Sequence, residues 1–258
     1  GIAPESAANV AVDLAGELYG QGAASFVNAM LRAIFRERAQ APEWAGLPPK
    51  LASRWRKNFG AAAEPAMASL AKNPPLPLRI RGPVDEAVLA GLSCVKPPLP
   101  DWASSFEFRE CSDPEAFFKS ELIGKGQAYV QDPATAFAVS LAAKAGRIKG
   151  RVIDLCAAPG GKTLMLADCA APGTEIIAAD RSPERLERAK ENFLRAGHPE
   201  IKTVAAEAST AQFAEGSFDL VFADVPCSNT GVARRRPDAP WRFSMTSLDK
   251  ICGLQTRI

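Results

Sequence analysis

The chain has 258 residues, 47% hydrophobic and 23% charged, with a net charge of +2. That length suits two or three soluble domains, and no apolar run approaches the ~18 residues of a membrane span. The six cysteines (Cys94, Cys111, Cys156, Cys169, Cys227, Cys252) form no C-x-x-C pair and accompany a single histidine, which argues against a metal site and for free thiols in a reducing, cytoplasmic setting.

Residues 1–40 read as helix. Val27, Met30, Leu31 and Ile34 recur at helical spacing, and Gly20 and Gly22 separate two short helices. Pro42, Pro48 and Pro49 mark a linker over 41–49, and 50–72 returns to helix. Between 31 and 60, seven basic residues (Arg32, Arg36, Arg38, Lys50, Arg54, Arg56, Lys57) stand against Glu37 and Glu43. Such a patch fits a solvated face or a phosphate surface equally. After the break at Pro74, Pro75 and Pro77, residues 78–125 are mixed. They hold a strand at 78–80 and a helix near 113–122, capped by Asp113 and opened by Pro114.

From 126 onward strands alternate with helices. Residues 151–156 form a strand, followed by a helix from about Gly161 and a second strand at 175–179. Ser182 caps the next helix, Pro183 opens it and Gly197 stops it. Leu186, Ala189 and Phe193 are its buried stripe, and Glu184–Arg188 and Glu191–Arg195 are favourable pairs one turn apart. Strands three and four lie at 201–206 and 218–223. Apolar runs without alternation predict strands covered on both faces, as in a parallel sheet. The fold expected is a doubly wound α/β domain over 126–258, preceded by a small α+β segment at 49–125 and a helical segment at 1–48.

The strand ends carry the chemistry. DLCAAPGGKT, residues 154–163, is a glycine-rich turn from strand to helix, which offers backbone N–H groups to a polar ligand. It is no P-loop, because Cys156 stands where the first glycine belongs, and it lacks the G-x-G-x-x-G of dinucleotide folds. Asp180 ends the second strand, near the offset at which an acid takes ribose hydroxyls. Glu207 follows the third strand and Asp224 the fourth. Three acids along one sheet edge suit an adenosine-like ligand bearing positive charge. A sulfonium such as S-adenosylmethionine fits better than the phosphates of ATP or NAD. In ADVPCSNTG, residues 223–231, Pro226 cannot donate to a ladder, so Asp224 and Cys227 are presented at a strand's carboxyl end. Arg234, Arg235 and Arg236 follow, with guanidinium forks suited to phosphate.

DLCAAPGGKT, DVPCSNTGVARRRPDAPWR (224–242) and GQAYVQDPA (126–134) together resemble the Sun/Fmu (RsmB) group of RNA cytosine-C5 methyltransferases. FVNAMLR (26–32) resembles the end of the NusB-like RNA-binding domain that precedes the catalytic part in that group. The resemblance implies a Rossmann-like methyltransferase domain with an incomplete sheet, and small-subunit ribosomal RNA as substrate. It implies that Cys156, Ala157, Ala158, Pro159, Gly160, Gly161 and Lys162 hold S-adenosylmethionine, mainly through backbone. Asp180 would take the ribose, Glu207 lie by the adenine, and Asp224 sit between cofactor and base. Cys227 would release the methylated product, and Arg234, Arg235 and Arg236 would contact RNA. Glu207 stands where the group has Asp, and Asn229 where glycine is usual.

In that group the attacking thiol sits in a Thr-Cys-Ser/Thr motif at a later strand end, and no such motif occurs in this sequence. The expectation is a polypeptide cut at both ends that binds cofactor, tends to self-associate and transfers no methyl group. Two alternatives stay open: a non-catalytic module binding cofactor and RNA, and a nucleotide hydrolase, against which the missing glycine counts. Cys252 falls in a helix without strand context, Cys94, Cys111 and Cys169 read as structural, and His198 reads as a surface residue after a helix stop.

Overall fold

The computed structural model describes residues 4–38, 47–70, 72–210 and 213–258. The linker expected over 41–49 lies mostly outside the described residues. The chain divides into two compact units, Gly1–Lys72 and Asn73–Ile258.

In the first unit α1 (Pro4–Tyr19) and α2 (Gln21–Arg38) form a helical hairpin, and α3 (Pro49–Phe59) packs on α4 (Ala63–Ser69). Gly20 makes the hairpin turn. Its φ of +86° is open to glycine at little cost, and its N–H donates to the Gly16 carbonyl at 2.9 Å. The expected α2 stripe is only partly covered: Val27 and Leu31 are half-buried, while Met30 and Ile34 are exposed. Leu51 and Met67 are the buried anchors of the second helix pair.

The second unit holds two four-stranded sheets. The first is antiparallel. It comprises β1 (Leu76–Ile80), β2 (Cys94–Val95), β3 (Glu107–Cys111) and β4 (Ala128–Val130), in the order β2-β3-β1-β4, with α5 (Glu86–Gly91) and α6 (Pro114–Lys119) in its connections. Asp113 accepts from the Ala116 N–H at 3.0 Å, so the helix there begins as its sequence predicts. Leu78, Leu89, Phe117 and Leu122 form the core of this layer. Because β4 pairs with β1, the sheet runs across residues 125 and 126, and the compact units divide at Lys72 instead.

The second sheet is parallel. Its strands are β5 (Arg151–Asp154), β6 (Glu175–Asp180), β7 (Lys202–Ala205) and β8 (Leu220–Phe222), in the order β7-β6-β5-β8. Three helices, α7 (Ala136–Lys144), α8 (Gly161–Asp168) and α9 (Pro183–Arg195), share one core with it, built from Val139, Val152, Leu164, Leu166, Ile176 and Phe193. Ile153, Ile177 and Ala179 form a smaller cluster of buried residues. The chain winds from β5 outward through β6 to β7, then returns to place β8 on the other side of β5. That reversal leaves a crevice at the carboxyl ends of β5 and β8, where ligands bind in α/β sheets.

The central strands β5 and β6 are buried as expected, but β7 and β8 are edges among the described residues. Val221 is 55% exposed and only Phe222 of β8 is buried, so the fourth strand is not covered on both faces. The last helix, α10 (Met245–Arg257), is capped by Ser244, which accepts from the Ser247 N–H at 3.1 Å.

Candidate active site

At the carboxyl ends of β5, β6, β7 and β8 lies a cleft of about 340 Å³, lined by Cys156, Asp180, Glu207, Asp224 and Cys227 among others. A smaller hollow of about 210 Å³ shares Cys156, Ala158 and Asp224 with it and is lined further by Ala157, Pro159, Gly161 and Lys162. The residues singled out at four separate strand ends therefore converge.

The loop from β5 to α8 is packed closely against its own neighbours, with no room for a side chain at either glycine. Gly160 has φ +102°, and a Cβ there would meet the Phe193 ring at 2.7 Å. A Cβ on Gly161 would meet Tyr129 at 3.0 Å. Neighbouring side chains hold the loop's carbonyls. The Pro159 carbonyl accepts from Asn192 Nδ2 at 2.8 Å and from the Tyr129 hydroxyl at 3.2 Å, and the Ala158 carbonyl accepts from Arg185. Asp180 is buried, with Oδ2 accepting from the Ala158 N–H at 3.1 Å and Oδ1 from the Ser182 N–H at 3.0 Å. Oδ2 also lies 3.5 Å from Arg185 Nη1, so Oδ1 is the oxygen that keeps a lone pair for a ligand hydroxyl.

Beneath the loop lies Asp154, which the sequence reading did not single out. It is 1% exposed and accepts from Thr163 Oγ1 at 2.7 Å and from the Cys156 N–H at 3.3 Å. Burial pushes its carboxyl up to about 6. The signal was present in the sequence: a carboxylate closing a strand directly before the glycine-rich turn. Burial, then the carboxylates of Asp154, Asp180, Asp224 and Glu207, push the Cys156 thiol up to about 11. Cys156 is therefore a neutral thiol, and the field at the loop is negative. Such a field opposes a phosphate and favours a cation.

Lys162 does more than lend its backbone. Its Nζ lies 2.5 Å from Asp224 Oδ2, joining the first strand–helix turn to the loop after β8. In that loop Cys227 is exposed and its Sγ accepts from the Asn229 N–H at 3.4 Å. Asn229 has φ +58°, the left-handed region that favours glycine and that asparagine tolerates best among other residues. Its replacement of a glycine is thus compatible with an unchanged turn. The Pro226 carbonyl accepts from Gln255 Nε2 on α10 at 2.8 Å, and Leu254 and Ile258 of the same segment line the cleft.

Arg235 and Arg236 differ in their surroundings. Arg235 donates through Nε to Asp132 Oδ2 at 2.9 Å and through Nη1 to the Pro75 carbonyl at 2.8 Å. Its fork ties the loop to the rest of the unit through two internal acceptors. The Arg236 side chain is 55% exposed and only 3.9 Å from Asp238. Cys252 is exposed and does not line the cleft. His198 is no simple surface cap: Nδ1 lies 2.9 Å from Glu200 and Nε2 3.3 Å from Asp168. It joins a cluster beside a hollow of about 570 Å³ that Arg79, Arg81, Asp168 and Arg195 line and that contains none of the expected site residues.

Residues 140–258 match the family model described as 16S rRNA methyltransferase RsmB/F. The chain is 33% identical over 269 residues to ribosomal RNA small subunit methyltransferase B of Xylella fastidiosa, an alignment covering 100% of this chain and 61% of that protein. It is 33% identical over 256 residues to the protein of that name from Xanthomonas campestris, covering 91% of this chain and 54% of the other. The chain thus spans somewhat over half the length of these relatives. Among solved structures, PH0851 superposes with a TM-score of 0.76 at 23% identity, over 96% of this chain and 58% of that one. A methyltransferase homolog from Pyrococcus horikoshii follows at 0.62 and 21%, over 89% and 70%. These likenesses establish the Rossmann-like methyltransferase fold. The family match and the relatives in sequence make the chain similar to the RsmB/F family.

Proposed function

We propose that this chain carries the cofactor and base-handling parts of an S-adenosylmethionine-dependent enzyme that methylates C5 of cytosine in small-subunit ribosomal RNA. One observation carries the reading. Asp224 and Cys227, two residues beyond β8 and five beyond it, line the same cleft as Asp180, Glu207 and the glycine-rich loop. The donor set fits the cofactor: backbone N–H groups, a buried acid at the second strand end, and a negative field for a sulfonium. Bound there, S-adenosylmethionine supplies the methyl group.

The chain's own residues prepare the base. Carbon 5 of cytosine is a poor nucleophile until a thiolate adds to C6, which turns the ring into an enamine; loss of the C5 proton and of the thiol then restores the 5,6 double bond. In this reading Asp224 holds a proton at the ring's N3 edge, and its ion pair with Lys162 supports that role. Cys227 serves the release step. The attacking thiol belongs to a Thr-Cys-Ser/Thr motif that is not among these 258 residues. Cys156, the other cleft cysteine, is held as a neutral thiol and does not replace it.

The test is incubation with methyl-labelled cofactor and unmodified small-subunit RNA, beside calorimetry of cofactor binding. Cofactor binding without turnover is expected for the 258-residue chain. Turnover well above a Cys227→Ala control would make Cys227 the attacking thiol. Failure to bind the cofactor would overturn the reading.

A further inference from the structure

The cleft explains how a base could be handled once it arrives. It does not explain what holds the strand beside it, and one feature of the following segment bears on that. Just after the Cys227 loop, residues Ala239–Arg242 form a single 3₁₀ turn that packs against the turn at Thr230–Val232. Ala239 and Pro240 are buried, and Arg235 anchors the approach on Asp132 and the Pro75 carbonyl. On this fixed support Trp241 is 68% exposed. A guanidinium stands on either side in sequence: Arg242, whose side chain is 78% exposed and 3.3 Å from Asp238, and Arg236. The chain thus holds an indole out to solvent on a turn with a buried base, flanked in sequence by cations and 14 residues after the cleft thiol of Cys227.

We propose that Trp241 is a stacking platform for an unpaired base of the RNA, with Arg236 and Arg242 on the flanking phosphates. The inference rests on the RNA reading above and adds the element that grips single strand. Indole faces accept any base, and stacking on an aromatic side chain is sequence-tolerant and independent of salt, whereas phosphate contacts are salt-dependent. The arrangement therefore combines two separable contributions. The indole sets affinity at every salt concentration, and the guanidiniums set the slope.

The experiment uses the full chain, a short single-stranded RNA containing cytosine, and an abasic strand of the same length, titrated over a range of salt. Trp241→Ala is expected to weaken binding of the base-bearing RNA by about 5- to 150-fold, the range for loss of one stacked base. The salt slope and the cofactor affinity should not move. Trp241→Phe should recover most of the loss. Arg242→Gln should lower the slope instead. The parent should prefer the base-bearing strand over the abasic one, and Trp241→Ala should lose that preference. A parent that binds neither strand removes the RNA reading, and this proposal with it. A parent that binds RNA while Trp241→Ala binds it equally well overturns the platform alone, and assigns Trp241 to a surface that other polypeptide covers.

Discussion

The two ends of helix α8 make opposite uses of the same kind of ion pair. At its start, Lys162 meets Asp224 across an open cleft, and the Asp224 side chain is 51% exposed. At its end, Asp168 is clasped by Arg79 and by Arg81, whose Nη2 lies 2.5 Å away, with His198 at 3.3 Å. There the Arg79 side chain is 1% exposed, and its remaining contacts are Gln131 and the Phe106 ring. The closed end joins the antiparallel sheet to the helix layer, since Arg81 also donates to the Ala196 carbonyl at the end of α9 at 2.9 Å. The open end leaves carboxylates facing solvent with room beside them. The closed cluster joins layers of the fold although Arg79 Nη2 is buried without a hydrogen-bond partner and a hollow lies beside it; the open one differs in leaving the Asp224 carboxylate half-exposed at the cleft.

The strongest way to break this comparison is Asp168→Ala. It strands a buried guanidinium, and removing one partner of a buried pair costs about 3–5 kcal/mol. Urea unfolding should show that loss, while the folded fraction still binds cofactor as the parent does. Unchanged stability would mean that the closed end carries no structural weight. Asp154 gives the next effect, on pH. Burial raises its folded carboxyl from the ordinary 3.8 to about 6. The native state therefore holds a proton that the unfolded chain has released between those values. Stability from this group is full below about pH 4 and is lost as pH rises through 6, a difference of about 3 kcal/mol. Asp154→Asn should flatten the pH dependence of unfolding over that window. An identical profile in variant and parent would place the titration elsewhere.

What was legible in the sequence follows the same line between local and distant. The helix α9 begins at Pro183 with Ser182 accepting from the Arg185 N–H at 3.2 Å, and Gly197 ends it with φ +80°. Capping and termination act over one turn of chain, so the residue types alone announce them. The acids at three strand ends were legible because a parallel sheet puts all its strand ends on one side. Pairings across the fold leave no such trace. Arg235 and Asp132 are 103 residues apart, and Arg79 and Asp168 are 89 apart. Even a local rule yields when a nearer partner exists: Glu184–Arg188 forms as expected, but Arg195 donates to Asn192. The exposure of Val221 was likewise invisible, because a strand's burial depends on what its neighbours supply.

Within the open end, Asp180→Ala sharpens the contrast between an acid that holds the loop and one that meets the ligand. Loss of a hydrogen bond to a charged group predicts about 1–3 kcal/mol of cofactor affinity by calorimetry. Asp180→Asn keeps one acceptor for the loop's N–H groups and so separates the two roles. Equal cofactor affinity in Asp180→Ala and the parent would take Asp180 out of the site.

The smallest effect distinguishes an inward from an outward arginine. Arg235 spends Nε and Nη1 on two internal acceptors, Asp132 and the Pro75 carbonyl. Arg236 is mostly exposed and its nearest acid, at 3.9 Å, is at the limit of an ion pair. On single-stranded RNA each neutralised phosphate contributes about 0.7 to the slope of log affinity against log salt. Arg236→Gln should therefore reduce that slope by up to about 0.7, with little change in unfolding, since exposed ion pairs contribute at most about 1 kcal/mol. Arg235→Gln should leave the slope alone and lower stability, because it opens the tie between the loop and the strand entry at Pro75. The opposite pattern, a slope that falls with Arg235→Gln and holds with Arg236→Gln, would show that the internal bonds of Arg235 give way to RNA. The distinction between closed and open clusters would then fail for this loop.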